Sequence, residues 1–143
     1  MRRNSLDSYR ENRILTANSV TLGHILLEET LRATRLAQAH AAPEEAFERG
    51  RHASKAMNIL TEFMLLLESD ECPELAASLK RICEYAHYRL MSAHAQGAGE
   101  GFQEVLRLLQ PILEAWTTVE KREAQERRNG AAGGDVQDTV APA

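Results

Sequence analysis

Two cysteines, Cys72 and Cys83, are all that the 143 residues contain. They form no CxxC pair and have no matching histidine, so zinc and dithiol chemistry lack their ligands, and nothing requires an oxidising compartment. Aromatic residues make up only 5% of the chain, and the apolar content is mostly Leu and Ala, which suits packed helices. The four prolines stand at positions 43, 73, 111 and 142 and leave long stretches free to form helix. No excess of positive charge exists either. A net charge of −4 and a pI near 5.7 argue against nucleic acid as a partner. The longest apolar block, Phe63 to Leu67, is far too short for a membrane span. Arg2 and Arg3 are followed by polar residues and not by an apolar run, so no signal peptide is expected. The expected setting is the reduced cytoplasm.

Catalytic signatures are missing as well. There is no GxSxG and no Asp/His/Ser constellation, and Gly97-Ala98-Gly99-Glu100-Gly101 lacks the strand and lysine of a phosphate loop. It reads as an interhelical turn. Glu84-x-x-His87 matches half of a di-metal carboxylate motif, but the second Glu-x-x-His is absent, since Glu48 and His52 are spaced i,i+4. A ferritin-like metal protein is therefore a minor alternative, and neither a metal nor another cofactor is expected.

What is present is helical periodicity. Asn18 is a good N-cap for a helix running to about Ala41, with Leu22, Ile25, Leu26, Ala33, Leu36 and Ala37 as its stripe. Pro43 opens a second helix with Glu44, Glu45 and Glu48 in its early turns, striped by Phe47, Ala53, Met57, Leu60 and Met64. Pro73 leads a third, striped by Leu75, Leu79, Ile82, Ala86 and Leu90 and stopped by Gly97 and Gly99. A fourth begins near Phe102 and carries Val105, Leu109, Ile112, Trp116 and Val119. Beyond Val119 it becomes a charged extension that Gly130 should close, with a disordered remainder to Ala143. Four such helices joined by short loops fold most simply as an all-α, antiparallel up-down four-helix bundle. The domain plan is a leading segment over 1–17, a bundle over 18–120 and an extension with tail over 121–143.

Two features exceed what a bundle needs. Phe63-Met64-Leu65-Leu66-Leu67 covers more than a full helical turn with apolar side chains, and Leu27 and Leu31 lie off the main stripe of the first helix. Either a loop covers them, or they form an apolar groove awaiting a partner helix. The leading stretch from Tyr9 to Asn18 is too short to be stable alone and must borrow an apolar surface from the rest of the chain. It is a candidate displaceable cover.

The pattern as a whole resembles the flagellin export chaperones, the FliS family. The resemblance begins with Tyr9, Asn12, Ile14, Thr16 and Ala17 and continues through Leu22, Leu26, Ala53, Met57 and Leu60. It is densest at Glu74-Leu75-Ala76, Leu79, Tyr85, Arg89-Leu90 and Ala93, and closes with Val105, Leu108-Leu109, Leu113 and Ala115-Trp116. Leu26-Leu27-Glu28-Glu29 departs from the Leu-Tyr-Asp-Gly usual in the family, and Cys83 replaces a tyrosine. The resemblance implies a non-enzymatic cytosolic chaperone that holds the C-terminal helices of flagellin, prevents premature polymerisation and presents the subunit to the flagellar export apparatus. It also implies a leading segment that lies over part of the binding surface. Partner contact is then expected from Tyr9, Asn12 and Ile14, from Leu22, Leu26, Leu27 and Leu31 of the first helix, and from Met57, Leu60, Met64 and Leu66 of the second. A helical adaptor for a different secretion substrate is the alternative, and the free protein could form a homodimer through its apolar faces.

Overall fold

Pro43, Pro73 and Gly97 divide the chain at the three places where helix is hardest to continue. The computed structural model describes residues 18–68 and 73–140, with side chains described between 19 and 131. Helix α1 spans Asn18–Ala39, α2 Ala46–Leu67, α3 Pro73–Gln96 and α4 Gly99–Val140, and a single 3-10 turn, Pro43–Glu45, precedes α2. Tyr9, Asn12 and Ile14, with the rest of 1–17, lie outside the described residues, as do Cys72 and the loop around it.

Two of these breaks show their local cause. At the end of α3, Gly97 takes φ +65°, the left-handed region that glycine enters without a Cβ penalty. The Ala98 amide then donates to the Ala93 carbonyl at 3.0 Å, and the Gly97 amide to that of His94 at 3.2 Å. This arrangement satisfies carbonyls left open by the end of the helix. At the other corner Pro43 opens its 3-10 turn, and the Glu45 amide closes on the Ala42 carbonyl at 2.9 Å.

α1 packs on α2 and α4, and α3 packs on the same two helices. Side-chain pairs give the directions. Gln38 bonds Gln103 while the Trp116 indole bonds the Val20 carbonyl, so α1 and α4 run antiparallel. Gly50 lies against His94, and Lys80 lies 4.0 Å from Glu68, so α2 and α3 do too. The antiparallel four-helix bundle expected from the sequence is the fold. Its centre is filled by Phe63 of α2 and Phe102, Val105 and Leu109 of α4, all fully buried. Trp116 meets Phe63 edge-on at 5.1 Å, an arrangement favoured by the ring quadrupoles. The indole lies across α1 only because residue 23 is glycine; a Cβ there would collide with the Trp116 ring.

Which face of each helix turns inward differs from the expected stripes. In α1, Leu27 and Leu31 are fully buried, whereas Ile25 is 48% exposed and Leu36 is also exposed. The cause is Thr30 and Thr34, which are buried and donate their hydroxyls to the carbonyls four residues back, at 2.8 and 2.7 Å. Their polar groups satisfied in this way, they behave as core residues and move the inward arc away from Ile25. Phe47, expected in the stripe of α2, is 81% exposed, because its place among the helical turns is nearly opposite Ala53, Ala56 and Leu60. In α3 the inward positions are Ala76, Cys83, Ala86, Leu90 and Ala93, while Leu75 and Ile82 face outward. Cys83 is a packed small apolar group, and burial pushes its thiol up to about 12. The stop expected at Gly130 is not observed, and α4 continues to Val140. A helical glycine costs only about 1 kcal/mol relative to alanine, and nothing crowds this one. At 42 residues α4 is about 63 Å long, against about 33 to 36 Å for the others, so it outreaches the bundle.

Candidate functional site

Apart from Leu90, the fully inward residues of α3 are small while most of its larger apolar residues lie outside, an unusual arrangement for a bundle helix. Leu75, Ile82, Tyr85, Tyr88 and Met91 are all exposed, although a cytosolic protein gains nothing from wetting them. Three of these share the flank that faces α4. Tyr85 and Arg89 both bond Glu104 of α4, which fixes that flank, and Ile82 and Leu75 lie on it at intervals of three and seven from Tyr85 and Ile82. On α4 the matching positions after Glu104 are Leu108, Ile112 and Val119, the first two half-buried and the last exposed. Half-buried Leu79 packs against the core beneath them.

By helical position these side chains line one seam, the trough between the first half of α3 and the second half of α4's packed portion. From Leu75 to Tyr85 it runs about 15 Å, close to three turns of a helix. One end is closed by a polar clasp. The Tyr85 hydroxyl donates to Glu104 Oε2 at 2.8 Å, the Arg89 Nε–H donates to Glu104 Oε1 at 2.6 Å, and Arg89 Nη1 donates to the Ser92 hydroxyl at 2.8 Å. The Arg89 and then the Tyr85 hydrogen bonds hold the Glu104 carboxyl below its ordinary range, and the same carboxylate pushes the Tyr85 phenol up.

A carboxyl lowered on folding binds fewer protons in the native state than in the unfolded one. Its contribution is complete above the ordinary carboxylate value of 4.5 and is lost as pH falls through the lower folded value. Glu104→Gln should therefore flatten the fall in stability between about pH 6 and pH 3, read by urea denaturation at each pH. An unchanged slope would mean that the clasp is not closed in solution.

The residues expected to line a groove on the first two helices are placed otherwise. Leu22, Leu26, Leu27, Leu31, Leu60 and Leu66 belong to the core cluster. They are buried because each helix has two packed neighbours, which makes the inward arc wider than a single stripe. Met57 and Met64 are half-buried and recur at sevens from Gly50, which touches His94, so they lie on the side of α2 that faces α3. The structure does not bring them together with the α3–α4 trough. Sequence periodicity does not show the trough, because Leu75 and Ile82 stand at the helical spacing of core residues. The available signal was the stripe of small residues at 76, 83, 86 and 93, which marks the true inward face. Glu84 is exposed, and among the described residues no three His, Cys, Asp or Glu side chains are grouped to hold a metal ion. No helix among those residues is long and apolar enough to cross a membrane.

Comparison with known proteins bears on the same elements. The family model described as flagellar protein FliS matches residues 2–123. The chain is also similar to the flagellar secretion chaperone FliS of Salmonella typhimurium, at 27% identity over 120 residues, covering 82% of this chain and 89% of that protein. The family match takes in α1, α2, α3 and the bundle portion of α4, and ends within the charged extension.

Proposed function

This chain belongs to the FliS family and is a flagellar secretion chaperone, and from that premise we propose that it holds the C-terminal helical segment of flagellin in the α3–α4 trough. The observation that carries this reading is the packing of α3, which leaves Leu75, Ile82 and Tyr85 exposed along its α4-facing flank. An amphipathic segment laid along the trough would cover them with its own apolar face, the helix-in-groove mode of recognition. The segment would be ordered as it binds, which lowers affinity per unit area but suits a client that must be released. Binding takes place in the cytoplasm, before export, and involves no chemistry. Covering the segment would block polymerisation and leave the rest of flagellin available to the export apparatus.

The accessible surface extends beyond the trough. Met57 and Met64 on α2 offer adaptable thioethers to a client that continues around the bundle. Leu22, Leu26, Leu27, Leu31, Leu60 and Leu66 support the docking faces from below. Residues 9–17, with Tyr9, Asn12 and Ile14, would act as the displaceable cover. In support, the segment joins α1 at Asn18, where Val20 meets Trp116 and His24 meets Glu120 at 2.9 Å. The first turns of α1 thus lie at the level of α4 that carries Val119.

Full-length flagellin and flagellin lacking its C-terminal helix should be titrated into the chaperone. Tight binding to the first only is expected; equal binding to both, or to neither, rejects the proposed mode. Deleting residues 1–15 should leave flagellin association at least as fast while increasing self-association of the free chaperone, measured by stopped flow and by light scattering. Slower association would show that the segment contributes contacts and is not a cover.

A further inference from the structure

We infer that Tyr85 is the anchor residue of client recognition and that Glu104 and Arg89 are its positioning residues, an assignment that rests on the function proposed above. The phenol ring is 44% exposed, so water could satisfy its hydroxyl without any protein partner. Instead the hydroxyl is bound to a carboxylate whose other oxygen is bound by arginine, and that arginine is in turn bound to Ser92. Three side chains are thus organised around one exposed ring.

Stability alone does not account for them. α3 and α4 are already locked at this level by Gly101, where a Cβ would sit 2.5 Å from that of Ala93, and by the fully buried Phe102 and Val105. A solvent-facing tyrosine–carboxylate bond adds little to such a contact. What the clasp does is remove the freedom of the ring before a partner arrives. Tyrosine fixed in advance offers a large contact area with little left to order, the property that marks interface anchors.

The surroundings define what the ring would meet. Tyr88 stands beside it with ring centroids 6.4 Å apart, and Ile82 lies one helical turn away on the trough side. Both Glu104 oxygens are already engaged by Arg89 and Tyr85, so the clasp presents little free charge to the client. The matching client group is a branched aliphatic side chain packed on the phenol face, carried by the amphipathic flagellin segment.

The test uses the full-length chain, with flagellin binding followed by calorimetry and stability by thermal unfolding. Tyr85→Ala should weaken binding about thirtyfold or more, the hot-spot range. Tyr85→Phe retains the ring without its tether and should lose about fivefold, and Glu104→Ala, which leaves the hydroxyl no acceptor, should lose a similar factor. The double variant Tyr85→Phe/Glu104→Ala should lose no more than either single change, because both break the same link. None should shift the melting temperature by more than a few degrees. If the parent chain does not bind flagellin, the proposed function falls and the tyrosine's role falls with it. If the parent binds and Tyr85→Ala binds equally well, or if losses in binding follow losses in melting temperature across the set, only the role of the clasp is overturned.

Discussion

Replacing Leu66 by aspartate is expected to unfold the chaperone, whereas the same change at Ile82 should leave it folded and unable to hold its client. Leu66 is 3% exposed and belongs to the core. The substitution removes a buried leucine, worth about 2 to 3 kcal/mol, and places a carboxylate in an apolar setting, which costs at least a further 2 kcal/mol. Together these approach the whole stability of a domain of this size. Ile82 is 36% exposed and lies at the rim of the trough, so Ile82→Asp should cost about 1 kcal/mol or less in stability. It should nevertheless weaken flagellin binding more than about tenfold, because an unpaired charge then faces the client's apolar side. Circular dichroism during urea titration separates the two variants, and calorimetry with flagellin completes the comparison. A Leu66→Asp protein that kept its helicity and lost only binding would move the docking face to the end of α2.

The contrast between these two positions shows what a linear sequence can convey about a bundle. Helix boundaries are local properties, and Pro43, Pro73 and Gly97 mark them through a missing amide, a fixed φ or a left-handed turn. Whether a helix faces one neighbour or two is not local. α1 contacts both α2 and α4, so its inward arc takes in Leu27, Thr30, Leu31 and Thr34, which read in isolation as surplus or polar. Polarity also misleads where a side chain satisfies itself, as the two threonines do on their own helix. On α3 the opposite holds. Leucine and isoleucine at helical spacing look like core, and only the smaller residues on the neighbouring face show that Leu75 and Ile82 lie outside. The apolar surplus was therefore legible in the sequence, but its address was not. The order of residues from Tyr9 to Trp116 nevertheless carried the family, because that order records function as well as packing.

Arg49 is the residue whose role was least visible, and its loss is the second large effect expected. An arginine in a glutamate-rich helix start reads as solvated charge, yet it is buried. Its Nη1 donates to the carbonyls of His40, Ala41 and Ala42 at 3.1, 3.3 and 3.0 Å. These oxygens follow the end of α1, where the helix leaves carbonyls without intrahelical donors and the helix dipole favours positive charge. Arg49→Ala removes this donor from all three at once, although the Ala42 carbonyl keeps the Glu45 amide. Some would be rehydrated, so the expected loss is about 3 kcal/mol rather than three full desolvation penalties. Arg49→Lys retains the charge but offers a point donor in place of a planar fork, and should recover no more than about half. The same guanidinium lies 3.6 Å from the Cβ position of Gly97, so the α1–α2 and α3–α4 corners at this end of the bundle meet on it. The trough leads away from this end, from the Tyr85 clasp toward Leu75. Arg49→Ala should therefore lower the melting temperature by several degrees and speed amide exchange around 40–46, while flagellin affinity measured well below the transition stays at the parent value. An affinity that fell while the melting temperature held would place the corner within the docking surface and not merely in the frame that supports it.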